Sequence, residues 1–285
     1  MTKINQTFKI LLIVISSCAG EQGGFDSEQQ SGQAVGVGED STIATVVDGR
    51  PVEQVLCQDG PTVIESRGNG DFSRQFAYIC ENGSTNQVFK DIVMSSYEGG
   101  ELAQVQTLHK VTSPLYVTEF AFAFAIKVPL VDPSQFADYR AHDIFAEGIS
   151  TDSSNLVINV ASRDSFPGRG SIESVVLDYD LKTAHGAAIF DKRQTEFNTY
   201  LLVEDNRDVV VSTEHLVDVE TNPSYHLSNG LTIGVTAGDG YSYIIFITEL
   251  IIKDRIDPVR LEKALLDLNQ EVSKMLYEHI TNTEI

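Results

Sequence analysis

Positive charge is scarce in this chain. Its 20 Lys and Arg stand against 41 Asp and Glu, a formal net charge of -21 over 285 residues. Phosphate backbones attract basic patches, so this balance excludes nucleic acid as a partner. It also disfavours peripheral attachment to anionic lipid. An apolar run of membrane-spanning length is missing at the amino end, where Ile10 to Ile15 is far too short to cross a hydrocarbon core of about 30 Å. Tryptophan is absent and cysteine occurs three times. Catalytic motifs are missing as well. His109, His142, His185, His215, His226 and His279 form no HExxH, no paired zinc spacing and no CxxCH haem site. Ser165 and Ser171 flank Phe166-Pro167-Gly168-Arg169-Gly170, which lacks the GxSxG elbow and reads as a turn. No catalytic residue, metal or cofactor is assigned on this basis.

What is present begins with an export signal. Lys3 and Lys9 precede the apolar run, and Ser16, Ser17 and Cys18 follow it. The stretch Ile15-Ser16-Ser17-Cys18 resembles the lipobox of bacterial lipoproteins. That resemblance implies a signal peptide ending at residue 18 and lipidation of the Cys18 thiol, the nucleophile that accepts the diacylglycerol. Several acyl chains on one residue anchor durably, at about 0.8 kcal/mol per buried methylene. Residues 19–41 are rich in Gly, Ser, Gln, Glu and Asp, too polar to offset the entropy of ordering, and read as a disordered tether. Ala19 stands where an inner-membrane retention Asp would be. The expected address is the cell envelope, lipid-anchored in the outer membrane and facing the periplasm or the cell surface. With Cys18 lipidated, Cys57 and Cys80 remain, and an even remainder in an oxidising compartment points to a disulfide between them.

Residues 42–92 read as a small β-rich subdomain stapled by that bond. Thr42 to Val47, Val52 to Cys57, Thr62 to Ser66 and Phe72 to Cys80 are strand runs, punctuated by Asp48-Gly49, Asp59-Gly60-Pro61, Gly68-Asn69-Gly70 and Glu81-Asn82-Gly83-Ser84. Residues 93–285 read as an α+β main domain. Its strands are Leu102 to Val111, Tyr116 to Val128, Leu156 to Ala161, Ile172 to Leu181, Ala187 to Phe190, Glu196 to Glu204, Val209 to Val219, Leu231 to Thr236 and Tyr241 to Ile252. In Tyr116 to Val128 the Phe and Ala side chains alternate between the two faces. Asp132-Pro133 signals a helix start, and so does Asp257-Pro258. After the latter, Leu261, Leu265, Leu268, Val272, Met275 and Ile280 repeat at helical spacing, a long terminal helix expected to cover the last strand.

One antiparallel sheet, a short helical region after its early strands and a long terminal helix together are similar to the helix-grip fold of START and Bet v 1-like proteins. The correspondence runs from Tyr116 through Ile280 and rests on element order. The fold class expected is therefore α+β, a curved antiparallel sheet packed on a C-terminal helix and preceded by the disulfide-stapled β-rich segment. The resemblance implies an apolar cavity walled by Phe120, Phe122, Phe124, Tyr200, Leu202, Ile245, Ile247, Leu261, Leu265 and Leu268, and a non-catalytic envelope lipoprotein that binds a small apolar ligand or lipid. Two alternatives stand beside it. One is a structural or protein-interaction lipoprotein with a filled core, its protein partner unknown. The other is a hydrolase built on carboxylates that share a strand face, such as Asp178 with Asp180 or Glu214 with Asp218, a coincidence that 41 acidic residues make common.

Overall fold

The computed structural model describes residues 46–67, 70–100, 104–113, 116–129, 132–134, 156–165, 173–183, 188–204, 206–217, 219–220, 225–238, 240–256, 273, 276–278 and 280–281. The expected signal, tether and Cys18 lie outside them. So do Asp257, Pro258, Leu261, Leu265 and Leu268, and all of the expected Pro129 to Gly148 helix except residues 129 and 132–134.

The described residues between Val52 and Met94 are mostly helical, which corrects the β-rich reading of this region. A turn of helix, α1 (Val52–Gln54), runs through the π-helical Val55–Asp59 into α2 (Gly60–Arg67). Then come α3 (Ser73–Ile79), a two-residue-per-strand hairpin of β1 (Cys80–Glu81) and β2 (Ser84–Thr85), and α4 (Gln87–Met94). The wide π turn falls immediately before Gly60-Pro61, where Pro61 lacks an N–H and crowds the preceding helical turn. Gly60 is required where α2 and α3 meet, because a Cβ there would lie 2.7 Å from the Phe76 ring. Asn86 caps α4 by accepting a hydrogen bond from the Phe89 N–H at 3.2 Å. Asn82-Gly83, both at positive φ, form the hairpin turn predicted there, and Asp48-Gly49 does the same between Val47 and Arg50. The strand reading failed because Val52, Val55, Leu56 and Ile64, and likewise Phe72, Phe76 and Ile79, also fall at helical spacing and are buried in that spacing. The Cys57–Cys80 disulfide is present and ties the π turn to β1.

The described strands that follow form one eight-stranded antiparallel sheet. Its strands are β3 (Gln106–Ser113), β4 (Tyr116–Val128), β5 (Leu156–Ser165), β6 (Glu173–Thr183), β7 (Ala188–Val203), β8 (Asn206–Leu216), β9 (Tyr225–Gly238) and β10 (Tyr241–Ile256). Their spatial order is β3-β4-β10-β9-β8-β7-β6-β5. Hairpins join β3 to β4 and every neighbour from β5 to β10. The one remote pairing brings β10 back beside β4, Phe246 opposite Phe124. The two segments expected at 187–190 and 196–204 are a single strand, β7. The architecture is thus α+β, an antiparallel sheet with several helices.

The sheet has two unlike faces. On one, Ala123, Ala125, Tyr200, Leu202, Val209, Val211, Leu231, Ile233, Val235, Tyr243, Ile245 and Ile247 form a single core with Val55, Leu56, Ile64, Phe72, Phe76, Ile79, Phe89 and Ile92 of the helical layer. The alanines of β4 let these helices approach closely. The helical layer covers this side of β10, and its core residues between Val47 and Val93 pack directly on the sheet. The opposite face carries Phe120, Phe122, Phe124, Ile126, Ile244, Phe246 and Leu250, set by the alternation of β4 and β10. Ser273, residues 276–278, Ile280 and Thr281 are helical, with Leu276 and Ile280 buried. Tyr277 meets the Tyr97 ring edge-on at 5.5 Å. Among the described residues no helix is long and apolar enough to cross a membrane.

Candidate functional site

The ten side chains expected to wall one cavity are divided by the sheet. Phe120, Phe122 and Phe124 lie on the aromatic face. Tyr200, Leu202, Ile245 and Ile247 lie on the helix-covered face, where Phe76, Ile79 and their neighbours fill the space against them. These four are ordinary core. Leu261, Leu265 and Leu268 fall outside the described residues.

On the aromatic face, the Phe124 and Phe246 rings stack at 4.7 Å and Phe120 meets Phe122 at 5.7 Å. Toward β9, β8 and β7 one row of this face is hydroxylic, flanked by the buried Val210 and Phe197. Phe246 pairs with Thr232, Thr232 with Ser212, and Ser212 with Thr199. The Thr199 and Ser212 hydroxyls are 3.0 Å apart and both are buried. Gly230, half-buried on the same face, has the Glu214 side chain folded over it, with Oε2 3.3 Å from where a Cβ would stand. Pro133 seats against Gly234, where an added Cβ would meet it at 2.9 Å. The turn holding Pro133 is tied down by Arg207, whose Nη1 donates to Ser134 Oγ at 2.6 Å and lies 3.4 Å from Asp132. Asp132 accepts from the Ser134 N–H at 2.8 Å, in keeping with its expected role at a helix start.

Accessibility sets this face apart. Phe246 is half-buried on an interior strand, while Ile245 and Ile247 on either side of it have no exposed surface. Thr232, Thr248, Gly230 and Glu214 around it are likewise half-buried. Phe120, Phe122, Ile244 and Leu250 frame this track and are fully buried. A half-buried track of this kind, framed by buried apolar side chains, can take the body of a small apolar molecule.

The helix-covered face has a polar border that the sequence reading missed. Strand register aligns His109, Ala121, Glu249, Asn229, His215 and Glu196 in one row across six strands. Arg74 of α3 reaches this row, with Nη1 2.9 Å from Glu249 Oε1 and Nη2 3.4 Å from Glu119. His109 Nε2 stands 3.4 Å from the same Glu119 carboxylate, and Tyr78 stacks on the His109 ring at 6.3 Å. Asn229 donates to the Asp71 carbonyl at 3.4 Å. Glu196 accepts from Asn198 and lies 3.9 Å from His215 Nε2. Burial raises the Glu249 carboxyl above its ordinary value, against the pull of Arg74 and His109, and raises the Tyr78 hydroxyl as well. Hydrogen bonds from the Ser73 hydroxyl and N–H hold Asp71 below its ordinary value. The row fastens the start of α3 to the sheet. One signal for it was readable: Glu249 is the single charged residue within Tyr241 to Ile252. Among the described residues no group of three or more His, Cys, Asp and Glu is placed to hold a metal ion. The side chains of Asp178, Asp180 and Asp218, suggested above as paired carboxylates, are outside the described residues.

No protein-family model and no curated protein sequence matches the chain. Among solved structures it is similar to the human StarD13 lipid transfer and protein localization domain, at 9% identity over 68% of this chain and 97% of that one, TM-score 0.41. It is also similar to a START superfamily protein from Mycobacterium smegmatis, at 11% identity over 57% of this chain and 99% of that one, TM-score 0.35. A third is the Zhui aromatase/cyclase from Streptomyces sp. R1128, at 12% identity over 59% and 99%, TM-score 0.34. These likenesses amount to a weak structural resemblance to the START and Bet v 1-like helix-grip fold.

Proposed function

We propose that this chain is a lipid-anchored, non-catalytic protein of the bacterial envelope that binds a small apolar ligand or lipid on the aromatic face of its sheet. The observation that carries the binding role is Phe246. A large aromatic side chain on an interior strand of an eight-stranded sheet retains accessible surface while the side chains before and after it retain none. Burying that surface under an apolar ligand is favourable at roughly 25 cal/mol per Å². The anchor rests on Ile15-Ser16-Ser17-Cys18, and the disulfide is of the kind expected in an oxidising compartment.

Two measurements test the two halves of this reading. A dansylated dodecyl amide should brighten on the purified chain, and Phe246→Glu should abolish the signal while leaving the circular dichroism spectrum unchanged. A wild-type chain that leaves the probe dim removes the binding role. For the anchor, Cys18→Ser should end incorporation of labelled fatty acid in the bacterial host, and unchanged labelling would refute lipidation at Cys18.

A further inference from the structure

Beneath α3, at the polar border of the helix-covered face, we infer that the protein encloses a site for ordered water, seated over Ala121 and held by Gln75 with Glu249 and Tyr78.

Gln75 lies on the buried side of α3, between Arg74 and Phe76, and has no exposed surface. Neither its Nε2 nor its Oε1 has a hydrogen-bond partner in the protein. An amide buried with both ends unmet is costly, and an apolar side chain of similar size would carry no such cost. Gln75 is not alone in this. Tyr78 is its neighbour on the helix by three-residue spacing, and its buried Oη makes no well-formed hydrogen bond. On the sheet below, His109 Nε2 and Glu249 Oε1 are buried in the same condition. Glu249 Oε1 stands 2.9 Å from Arg74 Nη1, and His109 Nε2 stands 3.4 Å from Glu119. Both contacts are close enough for charge attraction but are not aligned as hydrogen bonds. The Tyr78 ring stacks on His109, which brings the helix and sheet parts of the cluster together.

Strand register supplies the room. Ala121 is buried and pairs with His109 on one side and Glu249 on the other, so a methyl group stands between two long polar side chains. A short side chain in that place leaves a notch under α3, bordered by unmet donors and acceptors. An internal water makes about three hydrogen bonds and belongs in polar settings of this kind, whereas apolar voids stay dry.

The guest is neutral because the charges around the notch oppose one another. Arg74 faces both Glu249 and Glu119, and His109 faces Glu119 as well. A cation would meet Arg74 and an anion would meet two carboxylates, while water donates to one group and accepts from the next. Solvent reaches the notch along its rim, where the side chains of Arg74, His109 and Glu119 are 46%, 35% and 33% exposed.

Oxygen-17 relaxation dispersion of water on the full chain detects long-lived internal waters free of proton exchange. Gln75→Met keeps the length of the side chain and removes its hydrogen bonding. It should lower the dispersion amplitude and also the melting midpoint, since Glu249 and Tyr78 lose a partner they share. Glu249→Gln keeps the hydrogen bonding without the charge and should retain the amplitude. An amplitude unchanged in Gln75→Met overturns the inference. So does a raised melting midpoint, the result expected of an amide buried dry, which an apolar replacement relieves. Loss of the amplitude in Glu249→Gln overturns it too, because a site that needs the carboxylate charge holds an ion. If Gln75→Met does not fold, the wild-type chain decides. Its Gln75 amide protons should show cross-relaxation with water of the sign that long residence gives, and amide protons without it overturn the inference.

Discussion

Positions 245, 246 and 247 of β10 compare the two faces of the sheet within three residues. Ile245 and Ile247 point into a core completed by the helical layer and have no accessible surface. Phe246 points the other way, stacks on Phe124 and stays half-buried. One strand thus serves a filled interior on one side and a partly accessible floor on the other. The difference shows that a long apolar strand need not be buried equally on both faces, although its composition suggests that it is. What separates the faces is the side chains each presents: aliphatic and aromatic residues of β4, β7, β8, β9 and β10 against α1 to α4 on one, and a row running from Phe246 through Thr232 and Ser212 to Thr199 on the other.

The sharpest way to break this comparison is to truncate both faces at adjacent positions. Ile247→Ala should cost about 2–5 kcal/mol, as expected when a fully packed aliphatic side chain leaves a cavity that cannot collapse. Phe246→Ala removes more atoms yet should cost less, because part of its surface already meets solvent and no sealed cavity forms. Urea denaturation midpoints measure both. Equal costs would mean that the aromatic face is packed as tightly as the other, and the ligand reading would lose its basis.

Removing the disulfide tests the helical side alone. Cys57 and Cys80 are 23 residues apart, and both belong to the layer of helices, not to the large sheet. Replacing both by Ala should cost about 2–4 kcal/mol. The loss should be local. Hydrogen exchange should quicken most in α2 and α3, with the amides of β9 and β10 keeping their protection. Uniform loss across the chain would instead show that the layer and the sheet unfold as one unit.

On the aromatic face the matching probe is Gly234→Ala. The new Cβ would stand 2.9 Å from Pro133, so the turn must move and Arg207 would lose its hold on Ser134. A cost of about 1–3 kcal/mol is expected from thermal melts, the range of overpacking at a close contact. A silent substitution would show that this turn yields easily and does not fix the end of the floor.

How far the sequence discloses this arrangement varies by element. Strand β4 was readable to its end residues, Tyr116 and Val128, because its alternation of Phe and Ala admits no second period. The disulfide was readable once Cys18 was set aside. In Phe72 to Cys80 two periods compete: Phe72, Arg74, Phe76, Tyr78 and Cys80 alternate, while Phe72, Phe76 and Ile79 lie on one side of a helix. The flanking glycines punctuate a hairpin and a helix link equally well, so local pattern could not decide. The packing of Phe76 over Gly60 and against the sheet does decide it. The grouping of candidate wall residues failed for a different reason. Tyr200 and Phe124 belong to opposite faces only once β10 pairs with both β4 and β9, and that register joins strands far apart in the chain. The polar row is the same case. Glu249 stands out as the one charge in its run, but Asn229, His215 and Glu196 are unremarkable singly, and only pairing places the four side by side.

The smallest effect expected concerns that row, and its sign separates a clamp from a burden. Burial lifts the Glu249 carboxyl above its ordinary 4.5, although Arg74 and His109 draw it down. A folded-state value above the unfolded one means that protonation favours the fold. The contribution is complete below about 4.5 and is lost as pH rises through the folded value. Glu249→Gln is uncharged at every pH and holds nearly the same shape, so it lacks this dependence. Melting temperatures of the two proteins should therefore differ most at neutral pH, with the variant the more stable, and should converge as the buffer is taken below the ordinary carboxylate range. Asp71 contributes in the opposite sense, since its lowered value gives stability that is lost only as pH falls through it. That contribution is common to both proteins and cancels in their difference. A variant less stable than the wild type at neutral pH would reverse the conclusion. It would mean that the Arg74–Glu249 contact outweighs the burial of its carboxylate, and that the helical layer is held to the sheet by charge as well as by its apolar core.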